Sequence, residues 1–175
     1  MAQEVVTPQY ILSLPLQGLA ALLAASTRFQ TEVDAVDADA AMDSIHFPYS
    51  DDRDDDNDGV MNAPRPRAIM NPGPGFKFSN KGAQSWNATG NLYLCFEFLP
   101  DPEHTKRDDQ LLDFMNKAGQ IIEQMAEFSA RNLLDGSATY LNMADATLVD
   151  GPAEANFDNE TQLFYGVIFL IDWVG

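Results

Sequence analysis

The run QLFYGVIFLIDWV from Gln162 to Val174 limits what this chain can fold into more than any other stretch. Its odd positions, Leu163, Tyr165, Val167, Phe169, Ile171 and Trp173, are all large and apolar, so a strand here buries one whole face. The even positions include Phe164, Ile168 and Leu170, so the second face also needs cover, from a helix or from another subunit. A chain with such a segment has to build a sheet around it.

The other elements supply that sheet and its covering. Asn91 to Leu99 (NLYLCFEFL) alternates with period two and is stopped by Pro100 and Pro102. After a capping box at Thr105-Lys106-Arg107-Asp108, the residues Leu111, Leu112, Met115, Ala118, Ile122, Met125 and Phe128 form an apolar stripe at helical spacing. This predicts a long helix from about Asp108 to Arg131 lying across the sheet. A first, shorter helix is expected near Pro15, where Leu16, Leu19, Leu22 and Leu23 recur at helical spacing. Arg65 to Met70 and the Phe76/Phe78 alternation read as short strands around the turn-forming Asn71-Pro72-Gly73-Pro74-Gly75, and Lys81 to Gly90 reads as a polar loop. Thr139 to Val149 is a strand broken by Asp150-Gly151-Pro152. The order predicts an α+β fold, a mainly antiparallel sheet packed by one long and one shorter helix, in a single domain over residues 1–175.

Charge excludes one class of function. A net charge of −17 opposes attraction to a phosphate backbone, which depends on clustered Lys and Arg releasing counterions. Eleven acids against Arg53 alone give residues 29–62 a net charge of −10, and that stretch reads as a long acidic loop insertion with room for a short helix or strand in it. Within it, DDRDDDNDGV places Asp54, Asp56 and Asp58 at positions one, three and five of a calcium loop, with Gly59 at six. Position twelve, where a bidentate Glu should close the cage, holds Arg65. A solvated acidic surface is therefore favoured over a calcium site. His46 and His104, the only two histidines, sit in no metal-binding motif and are assigned loop roles. Cys95 reads as a small core residue, with no second cysteine to form a disulfide. No nucleophile elbow, phosphate-binding glycine loop or dinucleotide fingerprint is present, and the chain reads as a non-enzyme. Pro15 and Gly18 interrupt the Leu/Ala segment, so neither a signal peptide nor a membrane-spanning helix is expected.

LYLCFEFLPDPEHTKRDDQLLDFMNKAGQIIEQM combines a hydrophobic strand, a proline-marked break and an amphipathic helix, and ANFDNETQLFYGVIFLIDWVG leads through polar residues into a long last strand. In this order and texture the second half of the chain resembles the tail terminator proteins of long-tailed bacteriophages. The leading helix, the loop and the Pro-flanked PRPRAIM agree with that family in layout. The resemblance implies a structural virion protein of the tail or neck, made in the host cytoplasm. It would assemble as a homo-oligomeric ring, expected to be a hexamer, that caps the tail tube and contacts the tube protein and a neck or head-tail connector protein. DNA would pass without specific binding, and neither a membrane nor a resident cofactor would be involved, calcium being the one candidate. Two alternatives remain: another tail or connector subunit (a tail completion or tube protein), and a calcium-dependent binding module.

Overall fold

A computed structural model describes residues 14–47, 65–75, 77–80, 86–130, 142–155 and 164–174. In chain order these form helices α1 (Leu14–Ala25), α2 (Thr27–Glu32) and α3 (Ala38–Met42), then strands β1 (Ile45–His46), β2 (Arg67–Pro72), β3 (Lys77–Asn80) and β4 (Trp86–Phe98). Helix α4 (Arg107–Ala130) and strands β5 (Asn142–Ala155) and β6 (Phe164–Val174) follow. The strands make one six-stranded sheet in the order β1-β2-β4-β6-β5, with β3 pairing β4 off that path. β1 runs parallel to β2, and the remaining pairs are antiparallel. The fold is α+β, as the element order predicts.

Alternation on the strands sorts the sheet into two faces. Tyr165, Val167, Phe169, Ile171 and Trp173 of β6, Leu92, Leu94, Phe96 and Phe98 of β4, and Ala68 and Met70 of β2 are buried on one of them. Leu19, Leu22 and Leu23 of α1, Phe29 of α2 and Phe114, Ala118, Ile121 and Met125 of α4 close over that face to form one core. Aromatic rings link the layers: Phe29 lies 6.5 Å from Phe96, Phe96 5.4 Å from Phe98, Phe98 5.8 Å from Phe114, and Phe114 5.9 Å from Tyr165. Each such ring contributes about 1.5–3 kcal/mol by leaving water. β6 lies between β4 and β5 and is hydrogen-bonded on both sides, so the most apolar strand is internal to the sheet.

Several sequence expectations are corrected. The described part of residues 29–62 is helix α2, helix α3 and strand β1, with Phe29 and Ala41 fully buried. Polar side chains cap both helices: the hydroxyl of Ser26, just ahead of the stretch, accepts from Phe29 N at 3.1 Å, and an Asp37 carboxylate oxygen accepts from Ala40 N at 2.9 Å. Asp34 turns the chain between them at φ 54, a conformation that a short polar side chain tolerates. The segment DDRDDDNDGV lies outside the described residues.

β4 begins at Trp86, inside the stretch expected to loop out, because β3 supplies its backbone partners from Lys77↔Thr89 to Asn80↔Trp86. β5 continues through Asp150-Gly151-Pro152 by register shifts rather than stopping there. Gly151 sits at φ +88, and a Cβ on it would lie 2.7 Å from Gly166 O, so only glycine fits this irregularity. On α4, Leu111, Met115, Ala118, Ile122, Met125 and Phe128 of the predicted stripe meet the core, Phe114 and Ile121 join them, and Leu112 alone departs, at 64% exposed. The first bond of α4 runs from Gln110 N to Lys106 O, which puts the N-cap at Lys106 rather than Thr105.

Candidate functional site

Proline-rich sequence after β4 forces a turn, and that turn delivers a carboxylate to the start of α4. The Asp101 carboxylate accepts from Glu103 N at 2.9 Å and also faces Lys117 Nζ at 3.4 Å. Lys117 lies one helical turn beyond Asp113 and meets its Oδ2 at 2.7 Å. Glu32 of α2 approaches the same ammonium at 3.6 Å, so one lysine ties α2, the turn and α4 together. Asp101, His104 and Asp113 also bring one potential ligand atom each within 4.8 Å of one another. The Lys117 ammonium lies against all three carboxylates and offsets one of their negative charges, so the observed arrangement is an ion clamp.

Burial alone would lower the Lys117 pKa, but the hydrogen bond to Asp113 and the charges of Glu32 and Asp113 overcome it and hold the group above its ordinary value. Its contribution to stability is therefore complete below the unfolded lysine pKa and is lost as pH rises through the folded one. The Glu103 N–H, and after it Lys117, hold the Asp101 carboxyl below its usual range. That contribution is present above the ordinary aspartate pKa and is lost as pH falls through the lowered one. Replacing Lys117 with Met is expected to lower stability by about 1–2 kcal/mol at pH 7 and to remove the clamp's share of the alkaline decline. Urea titrations of both proteins at neutral pH and above pH 10 check this.

The second face of the sheet carries a different constellation. Every described helix contributes to the core on the first face. On the second, register aligns Ile69 with Cys95 and Ile168, and Asn71 with Tyr93 and Leu170, all half-buried. Beside them the carboxylate of Glu97 accepts from Arg67 Nε at 2.7 Å and from Arg65 Nε at 2.9 Å. Arg67 is fully buried and Glu97 is 8% exposed. The Arg65 guanidinium also lies 4.0 Å over the ring of Phe164, a cation-π contact that joins β6 to this group. Gly166 and Gly151 leave a hollow of about 140 Å³ next to Cys95 and Ile168. Burial first, and then the negative charge of Glu97, push the Cys95 thiol up to about 12, so it is an inert packing group and not a nucleophile.

Two sheet margins complete the picture. β5 is an edge strand, with β6 as its neighbour among the described strands. Leu148 and Val149 on it are 46% and 51% exposed. β3 likewise pairs only with β4 among the described strands, and its partner residues reach back to Trp86 while β6 pairs β4 only from Thr89 onward. The β3–β4 hairpin therefore extends past the main sheet as an arm. The turn after β2 is tied to β4: Gly73 N donates to Asn91 O at 2.9 Å and Gly75 N to Asn91 Oδ1 at 3.0 Å. A Cβ on Gly73 would meet Asn91 Oδ1 at 2.1 Å, so this close approach requires glycine.

Of the residues singled out in the sequence, Asp54, Asp56 and Asp58 lie outside the described residues. Arg65, at the position where a calcium loop needs its closing Glu, stands just before β2 and is engaged with Glu97 of β4. His104 stands at the ion clamp, 3.9 Å from Asp113 Oδ1. Sequence reasoning missed Lys117, Glu97 and Arg67 as partners. A charged residue inside an otherwise apolar strand, such as Glu97 in NLYLCFEFL, was the available signal. Among the described residues no helix is long and apolar enough to cross a membrane. The class defined by these features is an α+β domain whose described helices all cover one face of the sheet. No protein-family model matches the chain, and no curated protein matches it.

Proposed function

We propose that this chain is a structural virion subunit, a tail terminator that assembles into a ring capping the tail tube and joining it to the neck or head-tail connector. The observation that carries this reading is the second sheet face, on which no described helix packs and where Ile69, Tyr93, Cys95, Ile168 and Leu170 are half-buried within one copy. Apolar surface of that kind gains by burial against another subunit, and a head-to-tail contact that closes into a ring limits its own growth. The net charge of −17 suits a pore component, since like charge lets DNA slide past without the counterion release that would hold it. Its partners would be further copies of itself, the tube protein below and a connector protein above, in the virion.

Electron microscopy and mass photometry of the purified protein test the reading. Closed rings with a central hole, of one stoichiometry and without added partner, are expected. Monomers at every concentration would overturn it. Open-ended tubes would move the assignment to a tube subunit.

A further inference from the structure

We infer that neighbouring copies join edge to edge, with the β3–β4 arm of one copy laid along β5 of the next, so that a single sheet runs from subunit to subunit; this rests on the ring reading above and specifies its contact surfaces. Two-stranded hairpins are marginally stable in water on their own, so an arm extending past the sheet calls for a third strand. β5 supplies an edge of matching length. Register shifts on either side leave its regular pairing with β6 over Asp145↔Asp172, Ala146↔Ile171, Thr147↔Leu170 and Leu148↔Phe169, the same number of residues as the four of β3. Unpaired backbone groups along such an edge are a template for one more strand.

Charge decides which strand docks there. Asp145 opens this regular segment and Asp150 lies just past the register shift that ends it, and both are exposed. A symmetric β5-to-β5 pairing would set carboxylate against carboxylate, which is unfavourable across strands. β3 opens with Lys77, an exposed cation at the other margin of the sheet. Whether β3 adds parallel or antiparallel, one of the two carboxylates is at hand for that ammonium. The contact is heterologous, because each copy offers an arm at one margin and an acceptor edge at the other. Repeating it around an axis closes a ring.

The full-length chain tests this by charge reversal. Lys77→Glu, and separately Asp145→Lys with Asp150→Lys, should each raise the concentration at which rings fall apart by about tenfold, with unchanged circular dichroism and melting temperature. Combining all three substitutions should restore assembly to within about threefold of the original. Because Asp145 and Asp150 also accept from local backbone N–H groups, loss of folding in that pair would leave Lys77→Glu as the deciding variant. Rings that form normally with Lys77→Glu overturn the edge-to-edge contact while leaving the ring reading in place. A wild-type chain that never forms rings overturns both, and a two-fold dimer through β5 overturns the heterologous contact.

Discussion

Replacing Glu97 with Gln is expected to cost about 3 kcal/mol of folding stability, a large fraction of the roughly 5–15 kcal/mol that holds a domain of this kind. The substitution preserves volume and removes only the charge. It takes the shared carboxylate from Arg67 Nε at 2.7 Å and Arg65 Nε at 2.9 Å, in a group where Arg67 has no exposed surface. Desolvating a guanidinium is tolerable only while an anion faces it. The companion experiment is Arg65→Met and Arg67→Met with Glu97→Leu, which removes all three charges and should recover most of the loss, since buried ion groups contribute little beyond what apolar packing supplies. Denaturant titrations at pH 7 measure all three proteins. Cys95 gives an independent readout: with the Glu97 charge gone its pKa should fall from about 12, and native-state thiol labelling at pH 9 should accelerate. A Glu97→Gln protein as stable as the original, with unchanged labelling, would remove the ion group from any role in the second face.

Legibility in the sequence followed the range of the interaction. β6 and α4 were readable because period two and period 3.6 are local patterns, and the observed bounds of α4 lie within a residue of the predicted ones. Helices α2 and α3 were hidden by their acids, which composition reads as loop and which in fact stand at turns and caps, as Asp37 does. The continuation of β5 through Asp150-Gly151-Pro152 depended on a partner strand able to absorb register shifts, and no single stretch of sequence displays its partner. The ion groups were the least legible part. Glu97 is 30 residues from Arg67, and Lys117 collects carboxylates from α2, the proline turn and its own helix, so only the finished fold brings them together. The face of β6 that wanted cover was anticipated. Its place inside the sheet was not, and that place shifts the exposed strand edge to β5.

Phe96→Ala should be more damaging still, at about 3–5 kcal/mol. Phe96 is one residue from Glu97 and points to the opposite, helix-covered face, fully buried at the centre of the aromatic chain. Its ring lies within 6.5 Å of Phe29 on α2, 5.4 Å of Phe98 on the same strand, and 6.1 Å of Phe169 on β6. Truncation removes the transfer energy of the ring and leaves a cavity, because three elements anchored elsewhere cannot all move in to fill it. Phe96→Leu, which keeps most of the volume, should lose less, about 1.5 kcal/mol. The two faces then report separately on assembly. At temperatures where the Phe96→Leu protein remains folded its rings should form as before, since no part of that side chain reaches the second face or the β5 edge. Loss of rings without loss of fold in this variant would mean that subunits meet through the helical layer, and the sheet-edge contact would have to be abandoned.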